Sequence, residues 1–408
     1  MPFLLNPGGR IVEVNHDKYE YWLSKDGFKK LSIEKSNKFA TERAKKIWEL
    51  KNSHIVEEMA KKGVYLATVS PGGKDGYGVA SDLLVRELSK LDLPTHRTYM
   101  KQKIGILFHN PYSINMLQTP IRIIYTMFES TKIPQDFLPY LAAADYVFVP
   151  SQWCKEVFEA AGVENVKVIP LGYDQDVYKF VDRGETKASQ HKKFTFLHHN
   201  AYNIRKGFLE VYKAFTKAFS PDEPVELIMK TVIDNPQSRF PYLTPTRNPN
   251  IRVIQGKLSA QKMHDLMAES DCFVFPSRGE GFGMTPVEAM ATGLPAIVPN
   301  AHGISEYFDA SVMYEAKVKE TCPAIYSRYK NQDVGTMVVC DVDQLASQMR
   351  YVYEHQEEAR EKGRLASEYI KQWSFEETAK LLASELKPML DKPVPKRKIR
   401  DLLPLKKI

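Results

Sequence analysis

The most informative segment of this chain reads Phe275-Pro276-Ser277-Arg278-Gly279-Glu280-Gly281-Phe282-Gly283-Met284-Thr285-Pro286-Val287-Glu288. Apolar residues 272–275 predict a buried strand, which runs into a turn bracketed by glycines and then into a short helix. A helix start of this kind presents free backbone N–H groups and the positive end of the helix dipole, which suit a phosphate. Gly281 and Gly283 lack the Cβ atoms that would keep a ligand from the main chain. Glu280 and Glu288 can accept hydrogen bonds from sugar hydroxyls, so the segment predicts a nucleotide-sugar site.

The same segment also fits a simple helix start. Thr285 would be the N-cap, Pro286 the first helical residue, and Glu288 would reach back to the cap. Gly293 would end the helix. This capping box explains Glu288 as a structural residue, but it leaves Glu280 and the two glycines unexplained. A function is therefore favoured for the segment, while both roles stay open for Glu288.

Length and composition indicate a two-domain globular protein. The chain has 408 residues, of which 43% are hydrophobic and 26% charged. It is too long for one ordinary core and fits two domains of about 150 to 200 residues. No apolar run approaches the roughly 18 to 20 residues that span a bilayer. Four cysteines lack CxxC or Cys/His ligand spacing, which predicts reduced structural thiols in a cytoplasmic protein.

The positive charge is concentrated at the end of the chain. Residues 392–408 hold seven Lys or Arg and one acid, a net charge of +6 out of +7 for the whole chain. The rest of the chain therefore carries only +1, which gives no general case for nucleic-acid binding. We expect any contact with a polyanion, either DNA or an anionic membrane surface, to be made by this basic tail.

Two series of short apolar runs alternate with helical patterns, as is typical of βαβ units and parallel sheets. We expect the strands of a first sheet at residues 64–69, 104–108, 121–128, 146–149 and 166–169. We expect those of a second sheet at 194–197, 225–229, 251–254, 272–275 and 296–298. The predicted fold class is α/β, with two Rossmann-like, doubly wound parallel sheets in tandem. Ligands of such sheets bind beyond the carboxyl ends of the strands, here in a central cleft.

The expected domain organisation follows from these series. Residues 1–62 form an N-terminal extension with a polar helix around 36–62, and we assign no chemistry to this extension. The first Rossmann-like domain spans 63–175 and the second spans 176–371. A helical pattern returns at 342–387, with Asp343 as its expected N-cap, and a C-terminal helix at 372–390 returns toward the first domain. Residues 391–408 are the basic tail.

Together these residues resemble the family-4 retaining glycosyltransferases, which have the two-domain GT-B fold. The resemblance covers about residues 63–390. It is strongest from Glu280 to Glu288, which is similar to that family's E-x7-E motif, followed by Ala289-Met290-Ala291-Thr292-Gly293-Leu294-Pro295. Residues 145–151 and 168–174 are similar to the end of the family's first domain. The resemblance implies that the first domain binds the acceptor and the second the nucleotide sugar.

The resemblance also implies roles for individual residues of the second domain. Glu280 would contact the hydroxyls of the transferred sugar, and Glu288 would hold the ribose hydroxyls. The base would lie against the turn that contains Lys257 and Leu258. Main-chain contacts to the sugar and the diphosphate are implied for Gly281, Phe282, Gly283, Met284 and Thr285. In the first domain, Gly78 matches the glycine that closes over the diphosphate, although a flexible turn would explain the glycines before it as well.

A cationic pair is expected where the first strand of the second sheet ends. Departure of a nucleoside diphosphate builds negative charge on its terminal phosphate, and fixed cations stabilise that charge. Lys206 matches the lysine of the family. The family's arginine position, six residues earlier, holds Asn200 here, so Arg205 is the candidate for the second cation. Without the motif, an Arg-Lys pair is more often a solvated surface feature.

Two residues of the first domain are expected to point into the same cleft. His109 and Glu129 both follow predicted strands. Glu129 holds a position at which family members often carry a histidine close to the sugar. We therefore expect Glu129 to face the donor sugar and the acceptor hydroxyl. A strand-end carboxylate that caps the next turn would explain the residue equally well.

No metal and no cofactor are expected. Asp174 and Asp176 have the D-x-D spacing of metal-dependent transferases, but they lie where the chain changes domain. The pair of aspartates at 341 and 343 precedes a helix and fits an N-cap. His198 and His199 are adjacent on a strand and point to opposite faces, which is poor geometry for a metal. The expected co-substrate is a nucleotide-diphosphate sugar, UDP- or GDP-linked.

The resemblance implies transfer with retention of the anomeric configuration, with domain closure excluding water from the donor. The acceptor stays open among a glycan, a lipid and hydroxymethylated bases of viral DNA, the last of which would require reaching or flipping a base. A GT-B sugar-nucleotide epimerase, a GT-B phosphorylase and a non-catalytic sugar-nucleotide binding module are competing functions for the same residues. The intact Glu280, Glu288 and Lys206 disfavour the binding module.

Overall fold

The computed structural model describes residues 3–5, 11–13, 24, 29–30, 63–69, 75–183, 193–232, 248–329 and 332–391. The predicted helix at 36–62, the glycine-rich residues 70–74 and the basic tail 392–408 lie outside the described residues. Near the N-terminus, strands β1 (Phe3–Leu5), β2 (Ile11–Glu13) and β3 (Lys29–Lys30) form a small antiparallel sheet in the order β2-β1-β3.

The first domain contains a parallel sheet of six strands. Its strands are β4 (Val64–Ala67), β5 (Thr95–His96), β6 (Ile104–Phe108), β7 (Ile121–Tyr125), β8 (Tyr146–Val149) and β9 (Val166–Val168). They pair in the order β5-β4-β6-β7-β8-β9. The connecting helices are α1 (Gly76–Lys90), α2 (Leu138–Leu141) and α3 (Gln152–Ala160). Strands β4 and β6 are buried throughout, because helices or chain cover both faces of such a sheet.

The second domain contains another parallel sheet of six strands. Its strands are β10 (Phe194–Ala201), β11 (Val225–Val232), β12 (Ile251–Gln255), β13 (Cys272–Val274), β14 (Ala296–Val298) and β15 (Tyr314–Glu315). The order β12-β11-β10-β13-β14-β15 places β10 and β13 side by side. Helices α4 (Phe208–Ala218), α5 (Ala260–Ala268) and α6 (Met284–Ala291) connect them. The predicted α/β class with two tandem parallel sheets is confirmed.

An antiparallel hairpin, β16 (Val318–Pro323) and β17 (Thr336–Cys340), follows the second sheet. Helices α7 (Val342–Glu354), α8 (Gln356–Tyr369) and α9 (Phe375–Asp391) end the described chain. Helix α9 packs against α1 of the first domain, and one core contains Leu84 of α1, Leu382 of α9 and Phe275 after β13. The domain boundaries at 62, 175 and 371 stay predictions.

Two expectations about helix starts were wrong. Helix α7 is capped by Asp341, whose carboxylate accepts from the N–H groups of Asp343 and Gln344 at 2.8 and 3.2 Å, so Asp343 lies inside the helix. Helix α6 begins at Met284, with Gly283 at the N-cap in a left-handed conformation (φ 86°). Thr285 is therefore the second helical residue and not the cap, because the glycine already turns the chain into the helix.

Candidate functional site

The carboxyl ends of β10 and β13 bring the predicted cationic pair against the glycine-rich segment. After β10 the chain forms a short 3-10 helix, Ile204–Lys206, and turns at Gly207 (φ 74°). A Cβ atom on Gly207 would lie 2.3 Å from the carbonyl oxygen of Pro276, so only glycine allows this approach. The Arg278 N–H donates to the carbonyl of Arg205 at 2.7 Å and ties the two segments together.

Glu280 is the centre of a compact group of side chains, which we call the Glu280 cluster (Glu280, Lys206, Arg205 and Ser277). Its Oε1 atom accepts from Lys206 Nζ and Ser277 Oγ, both at 2.6 Å. Arg205 Nη1 lies 3.4 Å from the same oxygen. Only 8% of the Glu280 side chain and 12% of the Lys206 side chain are exposed. Ser277 was not predicted as a site residue, although it lies within the same glycine-rich segment.

The charges of the Glu280 cluster compensate one another. Burial opposes ionisation of Glu280, but Lys206 and Arg205 outweigh it and hold the pKa of this carboxyl below its ordinary value. Burial and the neighbouring Arg205 lower the pKa of Lys206, while Glu280 opposes them. The cluster is therefore a partly buried, hydrogen-bonded charge group at the carboxyl ends of the central strands β10 and β13, which is where ligands of such sheets bind.

Glu129 of the first domain meets this cluster from the opposite side. Its Oε1 atom lies 3.4 Å from Arg205 Nη2, and its Oε2 atom accepts from the Tyr326 hydroxyl at 3.3 Å. Arg205 also donates to the carbonyl of Gly279. A Cβ atom on Gly279 would lie 2.1 Å from the carbonyl oxygen of Glu129, so the two domains are in direct contact here.

Gly281 also serves this contact between domains, whereas Gly283 packs within the second domain. A Cβ atom on Gly281 would lie 2.7 Å from Cβ of Met127, and the Gly281 carbonyl accepts from Ser151 Oγ at 2.8 Å. The Gly283 carbonyl accepts from the Tyr307 hydroxyl at 2.9 Å. Phe282 is 1% exposed and belongs to the core. Close packing against the first domain is thus one reason for glycine at 281, beside the approach of a ligand that the sequence predicts.

The starts of two helices approach each other in the cleft. A Cβ atom on Gly76, the first residue of α1, would lie 3.6 Å from Cε of Met284, the first residue of α6. The Gly78 N–H, two residues further along α1, donates to its N-cap Asp75 at 2.8 Å. No side chain in the described part of the chain caps α6, so its first N–H groups and dipole can meet a ligand.

Glu288 does not reach back to cap α6. The Tyr178 hydroxyl hydrogen-bonds to it, and burial, with Asp174 adding to it, raises its pKa to about 8. Tyr178 lies just after the predicted domain boundary at 175, and it was not predicted because it belongs to no motif. Asp174 in turn pairs with Arg86 of α1 at 2.7 Å, so the first carboxylate of the D-x-D spacing is engaged in an ion pair between elements.

The remaining predicted residues lie around this centre. The His109 ring packs against Tyr77 with 4.8 Å between ring centroids, and burial lowers its pKa. The Asn200 side-chain oxygen accepts from the N–H of the following residue, Ala201, at 2.9 Å. Lys257 is exposed and Leu258 partly buried in the turn after β12.

A buried lysine holds that turn. Lys230 of β11 is 1% exposed, and its Nζ atom donates to the carbonyl of Gly256 at 2.5 Å. Gly256 is left-handed (φ 100°), a conformation that glycine adopts without strain. Lys230 lies in β11 one residue beyond the predicted strand at 225–229, and it belongs to no motif, so the sequence gave no reason to select it.

Known proteins resemble this chain in sequence and in fold. Residues 184–317 match the family model described as Glycosyl transferases group 1. The solved structure of Anabaena HepE in complex with UDP superposes with a TM-score of 0.61 at 16% identity, covering 80% of this chain and 100% of that one. The chain has the GT-B glycosyltransferase fold. At this identity the likeness concerns the fold alone.

Two curated relatives share sequence with this GT-B chain. "Putative glycosyltransferase 41" of Sulfolobus islandicus filamentous virus is 30% identical over 173 residues, which are 41% of this chain and 43% of that protein. The capsular polysaccharide biosynthesis glycosyltransferase CapM of Staphylococcus aureus is 24% identical over 288 residues, 61% of this chain and 75% of CapM. The chain spans about half the length, or less, of the viral relatives that it matches.

Neither a metal-binding cluster nor a membrane-spanning helix is found among the described residues. These residues contain no group of three or more His, Cys, Asp or Glu side chains placed to hold a metal ion. Within the same ranges, none of the helices has the length and apolar character required for a membrane span.

Proposed function

We propose that this protein transfers a sugar from a nucleoside-diphosphate sugar to an acceptor hydroxyl, with retention of the anomeric configuration and without a metal. The observation that carries the proposal is the Glu280 cluster. It places the Lys206 ammonium and the Arg205 guanidinium beside a carboxylate, at strand ends that face the converging starts of α1 and α6.

The diphosphate occupies the space between the two helix starts. Backbone N–H groups from Gly281 to Thr285 and the dipole of α6 stabilise its charge. Lys206 and Arg205 stabilise the additional negative charge that develops on the leaving phosphate, and because both are already held in place they need no reorganisation during the reaction. Donor binding requires Lys206 to share its contact with Glu280 between the carboxylate and the phosphate.

The two acidic residues of the motif bind hydroxyls of the donor. Glu280, held ionised by its two cations, accepts from hydroxyls of the transferred sugar. Glu288 contacts the ribose, with the Tyr178 hydroxyl hydrogen-bonded to the same side chain. The base, uracil or guanine, lies against the Lys257–Leu258 turn that Lys230 supports. UDP- and GDP-sugars are therefore the donors to test first.

The reaction is a displacement on one face of the sugar. The bond between the anomeric carbon and the phosphate oxygen breaks, and the bond to the acceptor oxygen forms on the same face. The acceptor proton passes to the departing phosphate oxygen. Glu129 faces the sugar and the acceptor hydroxyl, while the contact between the domains at Gly279 and Gly281 keeps water away from the donor.

A glycan is the proposed acceptor class. CapM, a non-viral relative aligned over 288 residues, is named for capsular polysaccharide biosynthesis, which supports this choice. Hydroxymethylated viral DNA is the second candidate, favoured by the filamentous-virus source of other relatives and by the basic tail. An epimerase would consume the donor without any acceptor.

The test is a panel of UDP-, GDP- and ADP-sugars. A donor that binds the folded protein raises its melting temperature. The donors that do so are then incubated with capsular oligosaccharides or with hydroxymethylated duplex DNA, and release of the nucleoside diphosphate is measured. We expect transfer to continue in excess EDTA. We also expect proton NMR to show the same anomeric configuration, axial or equatorial, in the product as in the donor. No binding by any sugar nucleotide would refute the proposal.

A further inference from the structure

The hairpin β16–β17 leaves the second domain and lies on the first. We call its described residues, 318–329 and 332–340, the hairpin arm. Ser130 Oγ donates to the carbonyl of Val334 at 2.7 Å, and the Thr131 N–H donates to the carbonyl of Thr336 at 3.2 Å. The Gln135 N–H donates to the Gln332 side chain at 3.0 Å. All these contacts fall on residues 130–135, immediately after Glu129.

Aromatic packing fixes the arm on both sides of that segment. The Tyr326 ring lies 5.0 Å from the Phe128 ring between centroids, and the Tyr329 ring lies 5.8 Å from it. Arg328 stacks over the Tyr112 ring at 4.5 Å. Phe128 directly precedes Glu129, so the arm holds the chain on either side of this carboxylate.

Two groups of the second domain contact the Glu129 carboxylate itself. Arg205 Nη2 lies 3.4 Å from Oε1, and the Tyr326 hydroxyl donates to Oε2 at 3.3 Å. Each oxygen of Glu129 thus has its own partner, and the two partners come from separate segments of the second domain. A carboxylate held at both oxygens has one orientation, whereas one held by Arg205 alone could rotate.

We propose that Tyr326 is a positioning residue, which acts on the reaction only by orienting Glu129, and that the hairpin arm completes the site on the acceptor side. This inference rests on the proposed transfer reaction, in which Glu129 faces the sugar and the acceptor hydroxyl. Tyr326→Phe would preserve the ring packing on Phe128 and remove only the hydroxyl. This substitution therefore distinguishes a positioning role from a packing role.

The first experiment is a double-mutant cycle with Tyr326→Phe and Glu129→Gln. The readout is nucleoside-diphosphate release from the sugar nucleotide that the native protein turns over. We expect Y326F to lower kcat about tenfold with little change in donor KM. In the Glu129→Gln background the same substitution has no further effect on kcat, since the carboxylate that Tyr326 orients is no longer present. An equal loss in both backgrounds, or no loss in the native one, overturns the proposal.

Tyr329→Phe is the matched control. It removes one hydroxyl from the same arm, which hydrogen-bonds to Tyr112 and not to Glu129. We expect kcat to stay within about twofold of the native protein, because a neutral hydrogen bond at a partly exposed site contributes little. A tenfold loss in Y329F would assign the effect of Y326F to general loosening of the arm.

The second experiment tests the docking of the arm without any activity. Gly335 is left-handed (φ 77°), and a Cβ atom there would lie 2.2 Å from Thr131 Oγ1 and 2.8 Å from the Lys132 nitrogen. Gly335→Ala should push the arm away and raise hydrogen exchange in residues 126–137. Gly162→Ala is the control, since Gly162 is also left-handed (φ 84°) but has open space. Equal exchange in both variants overturns the docking.

A crystal structure of Y326F separates this inference from the proposed function. If the Glu129 carboxylate rotates or loses Arg205 while no sugar nucleotide is turned over by the native protein, the transfer reaction fails and the positioning stands. If Glu129 keeps its orientation, the positioning role fails whatever the turnover.

Discussion

The Glu280 cluster and the surroundings of Glu129 are two carboxylate sites built in different ways. Glu280 is held within the second domain at 2.6 Å by both Lys206 and Ser277, and 8% of its side chain is exposed. Glu129 is 24% exposed, and its two contacts at 3.3 and 3.4 Å both come from the other domain. One site exists within a single domain, while the other forms only where the domains meet.

This difference predicts which property each site controls. A partly buried charge group inside one domain contributes to folding and can hold the donor even when the domains are apart. A carboxylate whose contacts come from the other domain is oriented only when the domains close. It can therefore couple the arrival of the acceptor to the reaction. Variants of the first site should affect stability and turnover together, and variants of the second should affect turnover alone.

Lys206→Ala should have the largest effect. It removes the cation aimed at the leaving phosphate and leaves Glu280 with a weaker partner, so we expect turnover to fall about 10²- to 10³-fold and stability to fall by about 3 kcal/mol. Kinetics and urea unfolding measure the two effects. Lys217→Ala is the control, because Lys217 pairs with Asp343 at 2.7 Å on an exposed surface. Normal turnover in K206A would end the proposed role.

Glu129→Gln should affect turnover without affecting folding. We expect turnover to fall about 10²-fold, while the midpoint of urea unfolding stays where it is, since the side chain is partly exposed and its contacts are long. Glu159→Gln, in an exposed ion pair with Lys155 at 3.8 Å, is the control from the same domain. Undiminished turnover of E129Q at native stability would show that Glu129 has no part in the mechanism. Only the Glu280 cluster would then remain as a functional site.

The same contrast explains what could be predicted from sequence. The buried runs that became β6, β8 and β14 were predicted with their observed bounds, because strands covered on both faces are uniformly apolar. Strand β10 extends to Ala201, four residues beyond prediction, because its polar end continues the ladder with β11. Glu280, Lys206 and their glycines lie in continuous motifs, so local sequence was enough to select them.

The contacts between distant segments could not be predicted. Strand order is absent from the sequence, so nothing local shows that β10 and β13 are neighbours or that Lys206 meets Glu280. The exposed strand β16 has no alternating apolar pattern, and the hairpin arm was therefore missed together with Tyr326. Tyr178 and Lys230 were also missed, because neither belongs to a motif and their partners, Glu288 and Gly256, are distant in sequence.

Glu288→Gln should flatten the dependence of stability on pH. Burial raises the pKa of Glu288 from 4.5 to about 8, so between these values the folded protein keeps a proton that the unfolded chain has lost. This contribution to stability is complete below pH 4.5 and is lost as the pH rises to about 8. We expect the Tm of the ligand-free native protein to fall by roughly 5 °C more than that of E288Q from pH 5 to 8.5.

Parallel melting curves with and without excess nucleoside diphosphate sharpen this test. Glu288 is proposed to bind the ribose hydroxyls. The nucleoside diphosphate should therefore raise the Tm of E288Q less than it raises the Tm of the native protein. Identical pH profiles for the two proteins would show that Glu288 is ionised at neutral pH, and the carboxylate would then resemble Glu280 in its charge state.

Thr285→Ala should have the smallest effect, and it decides between the two explanations of the glycine-rich segment. Gly283 occupies the N-cap of α6, so the Thr285 hydroxyl satisfies no helix end, and its loss should cost less than about 0.5 kcal/mol in urea unfolding. Ser259→Ala is the control, because Ser259 caps α5 and accepts from the Lys262 N–H at 3.3 Å. Loss of that cap should cost about 1 kcal/mol. An equal loss of unfolding free energy in both variants would mean that Thr285 caps α6. The first N–H groups of α6 would then not be free, and they would no longer mark the second domain as the one that binds the diphosphate.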